Sequence, residues 1–551
     1  MEVADTIAKI LKDEGVEYVF TYPVNPIVEA AAKIDIRPIV VRQERTGLHM
    51  ADALSRVTSG DEIGVFCMQF GPGAENAFPG VAQAYADSVP IVVFPMGYGR
   101  EKTDVDPNFN SSHNYREITK SSEQVTLAEE VPAAVRRAFN QVRNGRPRPA
   151  LVEIPLDLFA EEVPSPIDYN TTSENRTAPD PNDVPTVVEQ LLAAERPVIY
   201  AGQGVHYAKA WESLETFAEL LEAPVATSLQ GKSAFPEDHP LSLGSGGRSV
   251  PKPVDRFIAE ADVIFGIGCS FTDTSYGVSI PSDATIIHST LDPADIDKDV
   301  AADHALVGDA QLTLDALVDH LREQVGDDSR DRFDDVAEEI DTLEQEFLDE
   351  WESKLTSEEV PMTPYRVIND LMETVDVEET IITHDSGSPR DQLSPFWKST
   401  EPLTYIGWGK STQLGYGLGL AMGAKLAKPE KLCINVWGDA AIGMTGMDFE
   451  TAVREEIPIL SILFNNYSMA IEIPIMEEAT EKYGSTDISG NYAGLARELG
   501  GYGERIEDPD EIVPAINRGI EKTEDGVPTL LEFMTKKEID YALEGGRVSH
   551  R

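Results

Sequence analysis

The sequence predicts an α/β protein made of three doubly wound, parallel-sheet domains. Its 551 residues exceed what one hydrophobic core usually organises. Short apolar runs alternate with helix-like segments along the chain, which is typical of parallel sheets. Residues 161–185 are rich in Pro, Asn, Thr and Asp and are typical of a linker. We therefore expect domains at 1–165, 186–325 and 360–551.

The expected strands are short apolar runs bounded by polar segments. In the first domain they cover residues 18–22, 38–42, 63–68, 91–95 and 150–154. In the second they cover the start of 196–205, then 224–227, 263–267 and 284–288. In the third they cover 380–383, 432–437, 459–464 and 528–533.

An acidic segment between the second and third domains has the pattern of an amphipathic helix. Its apolar residues recur at spacings of three and four, which places them on one stripe. We interpret it as a connector that docks onto the domains, with a partner-binding helix as the alternative. The stripe consists of Phe333, Val336, Ile340, Leu343 and Phe347.

Composition limits the possible partners and compartment. With 97 acidic and 45 basic residues, the net charge of −52 argues against nucleic acid and anionic membranes as partners. The acids are spread along the chain, which indicates a halophilic protein, because molar salt screens such repulsion.

No apolar run is long enough to span a bilayer and no signal peptide is evident. Cys67, Cys269 and Cys433 lie in separate apolar runs, so we expect buried free thiols in a cytoplasmic protein.

Two expected strands of the third domain end in small polar residues. Asp439 follows the strand at 432–437, and Asn466 follows the strand at 459–464. Ligands of α/β sheets bind at such strand ends, and Mg²⁺ prefers carboxylate, amide and carbonyl oxygens. The alternative is that Asp439 only caps a helix and that Asn465 and Asn466 only form a turn.

A carboxylate in the first domain is placed in a similar way. Glu44 follows the apolar residues Val40 and Val41 and precedes a helix-like segment at 47–55. By itself, Glu44 would be interpreted as a solvated or ion-paired residue. A glycine-rich turn at 71–76 follows at a defined distance, and the two segments together favour a functional role.

These segments together resemble those of thiamine-diphosphate (ThDP)-dependent enzymes, and among them most closely the acetolactate synthase large subunits. The pair at 438–440 and 465–466 resembles the family's Gly-Asp-Gly…Asn-Asn motif, with Ala440 in place of the second glycine. The turn at 71–76 resembles the family's Gly-Pro-Gly-x-x-Asn segment. Residues 196–204, 231–240 and 291–296 also read like acetolactate synthase segments.

The resemblance implies a ThDP- and Mg²⁺-binding site. Metal ligands would be the side chains of Asp439 and Asn466 and the carbonyl of Ser468. Glu44 would bind the pyrimidine ring and, through it, promote removal of the thiazolium C2 proton. Apolar neighbours would raise the pKa of Glu44. The implied cofactor contacts, besides the metal ligands, are Gly71, Asn76, Gly387, Ser388, Leu414, which would bend the cofactor, Gly438, Ala440, Ala441 and Met469.

The resemblance also implies an assembly. In this family the glutamate and the Asp…Asn pair meet across a subunit interface, so at least a homodimer is expected. A homotetramer is equally compatible, and no particular regulatory subunit is implied.

The sequence departs from the family around the substrate. Acetolactate synthases carry an arginine-rich stretch where this chain has Ser270 to Asp273, which puts FAD and the usual pyruvate contacts in doubt. Lys120 aligns with a family Thr-Lys pair, but an exposed surface lysine is an equal alternative. Asn110 and His113 lie on a loop where relatives contact substrate.

The function implied is decarboxylation of a small 2-oxo acid followed by carboligation, as in acetolactate synthase. A simple decarboxylase or an acyl-transferring ThDP enzyme without FAD is the alternative. Two other classes are weaker. A nucleotide oxidoreductase would rest on Gly202-Gln203-Gly204 alone, which lacks a third glycine, and retention of Glu44 argues against a non-catalytic relative.

Overall fold

The computed structural model describes residues 1–274, 276–326 and 330–542. Residues 543–551 of the expected third domain therefore lie outside the described part of the chain. The described residues form three parallel sheets of six strands each, with helices on both faces, so the predicted fold class is confirmed.

The first sheet lies near the N-terminus. Its strands β1 to β6 are Tyr18–Thr21, Arg37–Val40, Gly64–Met68, Ile91–Gly97, Ser121–Gln124 and Ala150–Pro155. Helices α1 to α6 are Val3–Asp13, Pro26–Ala32, Glu44–Val57, Pro72–Ala86, Ser111–Asn114 and Val131–Arg143. The strand order is β2-β1-β3-β4-β6-β5.

The central sheet follows. Its strands β7 to β12 are Pro197–Ala201, Val225–Thr227, Ser242–Ser245, Val263–Ile267, Thr285–Thr290 and His304–Val307. Helices α7 to α12 are Val184–Ala193, Gly204–Ala208, Trp211–Leu221, Lys252–Glu260, Ala310–Val325 and Phe333–Leu355. The strand order is β12-β11-β10-β7-β8-β9.

The third sheet repeats the strand order of the first. Its strands β13 to β18 are Thr380–His384, Tyr405–Ile406, Leu432–Gly438, Leu460–Asn465, Tyr502–Ile506 and Thr529–Met534. Helices α13 to α20 are Pro364–Thr374, Ser388–Leu393, Tyr416–Ala427, Asp439–Thr445, Phe449–Arg454, Glu477–Tyr483, Tyr492–Glu498 and Ile512–Glu524. The order is β14-β13-β15-β16-β18-β17.

Five strands were not predicted from the sequence, and all five lie at sheet edges: β5, β9, β12, β14 and β17. An edge strand pairs on one side only and stays partly exposed, so it needs no continuous apolar run. The half-buried β5, with the sequence Ser-Ser-Glu-Gln, illustrates this. The central strands are apolar because both of their faces are covered.

The two segments that connect the domains differ in secondary structure: the first is irregular and the second is a helix. The expected linker contains no helix or strand from 163 to 183, but it is attached to the first domain, where the Tyr169 hydroxyl donates a hydrogen bond to Glu14. The connector is helix α12, and its apolar stripe packs as expected. Phe333 contacts the central core, whereas Phe347 lies in the core of the third domain.

The first and third domains are joined by the crossing of α3 and α15. A Cβ atom on Gly419 would lie 2.4 Å from the Cβ of His49, so only glycine permits this close approach. Next to the crossing, buried Arg56 donates to Asp52 at 2.5 Å and to Asp87 at 3.2 Å, while Tyr416 donates to Asp52. Both domains therefore contribute to one buried polar network.

Two further expectations concern the surface and the cysteines. All three cysteines are free and buried, as predicted. Among the described residues, no helix combines the length and the apolar character needed to cross a bilayer.

Candidate active site

Asp439 and Asn466 lie side by side at the carboxyl edge of the third sheet. Strands β15 and β16 are parallel neighbours, with Gly438 paired to Phe464, so both chains leave the sheet at the same edge. Asp439 begins α16 and its Oδ2 atom accepts hydrogen bonds of 3.1 Å from the backbone amides of Asn466 and Ser468. The loop after β16 is thereby folded around the Asp439 carboxylate.

The side-chain oxygens of Asp439 and Asn466 could bind a cation. Burial raises the pKa of Asp439 to about 6, although backbone amide donors oppose the shift. The side-chain oxygen of Asn466 is buried and has no hydrogen-bond donor among the described residues. A buried acceptor without a partner is costly. An Mg²⁺ ion bound by the two side chains would remove that cost and favour the charged carboxylate, so the residues present fit this metal.

A second loop approaches the same edge after β13. Gly387 has φ +80°, a conformation that favours glycine, and it directs the chain into α14 at Ser388. The Ser388 hydroxyl is 2.8 Å from the Tyr541 hydroxyl.

Asp385 joins this loop to the start of α15. Its carboxylate accepts from the amides of Ser386, Gly415 and Gly417 at 2.8–3.0 Å. Burial nevertheless raises the pKa of Asp385 to about 6. The carboxylate therefore fixes the position of Leu414, the residue immediately before Gly415.

These loops surround a cavity of about 270 Å³. Every cofactor and metal residue predicted for the third domain lines it. They are Gly387, Ser388, Leu414, Gly438, Asp439, Ala440, Ala441, Asn466, Ser468 and Met469.

The cavity also has lining residues that were not predicted from the sequence, among them Arg248, Tyr276 and Arg390. Arg248 follows the carboxyl end of β9, an edge strand that the sequence did not reveal. Recognition of that strand would have indicated Arg248, because ligands bind near carboxyl strand ends.

Glu44 lies in the first domain at the N-terminus of α3. Glu44 was predicted at the end of a strand, but β2 ends at Val40 and the helix begins at Glu44 itself. Parallel pairing between β1 and β2 stops at Thr21 and Val40, which allows the chain to turn before the helix. Burial raises the pKa of the Glu44 carboxyl, partly offset by its own backbone amide and by the Asn76 side chain.

The Asn76 side chain donates a hydrogen bond to Glu44, and neither of these residues nor Gly71 lines the cavity described above. A Cβ atom on Gly73, in the same turn, would lie 3.6 Å from Glu44 Oε1. Asn76 is exposed, while Glu44 is 5% exposed. The predicted residues of the first domain and those of the third domain are therefore separate within this chain.

The three candidates for substrate contact lie elsewhere. Lys120 donates to the carbonyls of Gln141 at 2.8 Å and Arg146 at 2.9 Å, and also to that of Asn144, so its ammonium group holds the end of α6. It is partly buried, not the exposed lysine considered as the alternative, and burial lowers its pKa to about 8. Asn110 caps the short helix α5 and His113 is exposed.

A larger cavity of about 760 Å³ lies where the three domains meet, and Ser270 to Asp273 line it. Four of its basic residues, Arg143, Arg146, Arg176 and Lys209, are each paired with a carboxylate. Among the described residues, Lys410 is the lining cation without an ion-pair partner, and its Nζ lies 3.1 Å from Ser270 Oγ. These residues do not fit the diphosphate of FAD, which would have to compete with the existing ion pairs.

Three models of one protein family match the chain. Residues 1–123 match the N-terminal TPP binding domain of thiamine pyrophosphate enzymes, 184–317 match the central domain, and 385–533 match the C-terminal TPP binding domain.

Full-length relatives point to the same family. The chain is 31% identical to the probable acetolactate synthase large subunit of Methanococcus aeolicus, over 97% of this chain and 92% of the relative. It is 31% identical to the corresponding protein of Methanocaldococcus jannaschii, over 100% of this chain and 95% of the relative. It is 28% identical to the acetolactate synthase isozyme 3 large subunit of Escherichia coli, over 94% and 92%. The chain therefore belongs to the family of thiamine-diphosphate-dependent enzymes and is similar to acetolactate synthase large subunits.

Proposed function

We propose that this enzyme decarboxylates a small 2-oxo acid and joins the remaining fragment to a second 2-oxo acid, as acetolactate synthases do. The observation that carries the proposal is similarity to acetolactate synthase large subunits over nearly the whole chain. The cavity lined by all of the predicted third-domain residues supports it. A simple decarboxylase or an acyl-transferring enzyme is not favoured by these relatives.

The third domain would hold the cofactor through Mg²⁺. Asp439, Asn466 and the Ser468 carbonyl would bind the metal, and the N-terminus of α16 at Gly438, Ala440 and Ala441 would bind the diphosphate. Bound ThDP supplies the electron sink for loss of CO₂ from a 2-oxo acid. Leu414 would press against the cofactor between its two rings, and Gly387, Ser388 and Met469 would complete the walls.

Glu44 would share a proton with the pyrimidine ring nitrogen of the cofactor. A buried carboxyl with a raised pKa shares a proton with a ring nitrogen more readily than a solvated one. Because Glu44 does not line the cavity of its own chain, we propose that a second subunit supplies it, together with Gly71 and Asn76. The active unit would be a homodimer or a homotetramer.

Reconstitution tests the proposal directly. The protein, purified in molar KCl and supplied with ThDP and Mg²⁺, should release CO₂ from at least one acid of a 2-oxo acid panel and form a condensation product. Glu44→Gln should lower turnover on the order of 100- to 10,000-fold while cofactor binding is largely retained.

Glu75→Gln is the matched control, since Glu75 is an exposed carboxylate in the neighbouring helix turn. CO₂ release without any condensation product would reject carboligation. Unchanged turnover of Glu44→Gln would reject the role of Glu44.

A further inference from the structure

One wall of the cofactor cavity carries two arginines that share one carboxylate. Arg248 and Arg390 both line the cavity. Arg390 donates to both oxygens of Asp391, with Nε at 2.7 Å and Nη2 at 2.9 Å. The Nε atom of Arg248 lies 3.9 Å from Oδ2 of the same Asp391. This wall therefore has two guanidinium charges and one carboxylate charge.

Arg390 is held rigidly and still has an unused donor. Its side chain is 2% exposed, and its guanidinium carbon lies 4.4 Å from the centre of the Tyr276 ring. Its Nη1 atom is buried and has no hydrogen-bond acceptor among the described residues. An unpaired donor on a buried cation is costly, and an anion would satisfy it.

Arg248 is the accessible member of the pair. Its side chain is 30% exposed, and its one ion pair among the described residues is the loose contact with Asp391. The planar end of the side chain can therefore turn towards a ligand. A guanidinium group binds a carboxylate through two parallel hydrogen bonds.

The remaining charged residues of the cavity do not neutralise this wall. Lys536 is paired with Glu359 at 2.9 Å. Asp439 belongs to the proposed metal site, and Glu472 follows β16 on the same edge as Asp439. Arg248 and Tyr276, in contrast, come from the central domain. Arg390 belongs to α14, which begins at Ser388, so the two arginines approach the cavity from different domains.

The chemistry of the reaction indicates which anion fits. The carboxylate of the donor acid leaves as CO₂, so a strong ion pair to it would stabilise the substrate more than the transition state. The carboxylate of the acceptor acid keeps its charge and remains in the product. The sequence lacks the family's arginines around Ser270 to Asp273, which leaves that carboxylate without its expected partner.

We propose that Arg248 and Arg390 bind the carboxylate of the acceptor 2-oxo acid, with Asp391 and Tyr276 orienting them. The proposal rests on the carboligation proposed above. A second anionic group on the donor acid would offer the same chemistry, and the experiment separates the two sources.

The test compares a charged and an uncharged acceptor on the holoenzyme. With pyruvate as donor, Arg248→Gln and Arg390→Lys should raise KM for 2-oxobutyrate by about 10- to 100-fold. KM for acetaldehyde, which has no carboxylate, should change less than about twofold. Arg390→Lys keeps the cation but loses the planar fork. Arg256→Gln, at an exposed central-domain arginine, is the control and should change neither KM.

Each other result rejects a specific statement. Equal effects on both acceptors, or no effect on either, would overturn the assignment. A tenfold loss of ThDP affinity in Arg248→Gln would show that the arginines bind the diphosphate. A further arm uses 2-oxoglutarate as donor and acetaldehyde as acceptor. If the variants raised only the KM for 2-oxoglutarate, the arginines would bind the second anionic group of the donor. If the wild-type enzyme formed no condensation product from any acid of the 2-oxo acid panel, carboligation itself would be wrong.

Discussion

The backbone amide of Ser468 donates a 3.1 Å hydrogen bond to Oδ2 of Asp439, across the edge of the third sheet. This contact folds the loop after β16 over the strand end that carries Asp439. It also orients the loop that contains Asn466, whose side-chain oxygen has no donor among the described residues. The oxygens of Asp439 and Asn466 are therefore placed where a cation could bind both of them.

We expect Asp439→Asn to lose metal-dependent cofactor binding. Removing the only carboxylate of the proposed ligand set should weaken ThDP affinity in the presence of Mg²⁺ by on the order of 100-fold. The measurement is the rise in Tm on adding ThDP and Mg²⁺. Asp525→Asn, at an exposed carboxylate beyond α20, should retain the full rise. An undiminished rise in Asp439→Asn would show that Asp439 is not a ligand.

The raised pKa of Asp439 predicts opposite pH trends with and without metal. The pKa is about 6 in the folded chain, against 3.8 for an ordinary aspartate, so the folded state binds the proton more tightly. This group therefore lowers stability as pH rises from about 4 to about 6, by roughly 3 kcal/mol in total. Without cofactor, Asp439→Asn should be more stable than wild type at neutral pH and similar to it near pH ~4.

Metal binding requires the ionised carboxylate, so the Tm rise produced by ThDP and Mg²⁺ should shrink as pH falls through about 6. Comparing wild type with Asp439→Asn isolates this group from Asp385, whose pKa is also about 6. A stability difference between the two proteins that does not change with pH would contradict the assignment.

A site that is shared between two subunits, as proposed above, predicts complementation between two inactive subunits. A dimer that combines one Glu44→Gln chain with one Asp439→Asn chain would contain one intact site and one doubly defective site. After isolation with two affinity tags, it should have about half of wild-type activity. Each variant alone should be nearly inactive. An inactive mixed dimer would mean that each site is built within a single chain.

The buried network between the first and third domains should make a large contribution to stability. Side chains of Arg56 and Asp52 are 6% and 1% exposed. Asp52→Asn would leave the buried Arg56 charge undercompensated, so we expect a loss of about 3–5 kcal/mol in the free energy of unfolding. Urea unfolding in molar salt measures it. Asp13→Asn, in the exposed pair with Lys9, should cost less than about 1 kcal/mol.

The net charge of −52 predicts a strong dependence of stability on salt. The Debye length falls from about 10 Å at 0.1 M to about 3 Å at 1 M, so repulsion between surface carboxylates weakens. We expect Tm and the assembled fraction to rise steadily with KCl towards molar concentrations. Light scattering and thermal unfolding measure both quantities. A Tm that stays constant over this range would reject the halophilic interpretation.

Strands that are buried on both faces could be predicted from the sequence, whereas partly exposed strands could not. Strands with both faces covered, such as β4 and β16, are continuous apolar runs and were predicted at nearly their observed bounds. Edge strands such as β5 and β17 need no such run, because solvent covers part of them. Helix α12 was predicted because a single apolar stripe repeats along it at helical spacing.

Some residues of the candidate site could likewise be predicted from the sequence, and others could not. The sequence by itself predicted Glu44, Asp439 and Asn466 as residues of thiamine chemistry, because each belongs to a short motif whose residue types and spacing can be recognised locally. Only the tertiary structure decided that Arg248, Tyr276 and Arg390 share the cavity with Asp439, since these residues come from different domains and carry no local pattern. The structure also places Glu44 outside that cavity. Relations between residues far apart in the chain depend on how the domains pack.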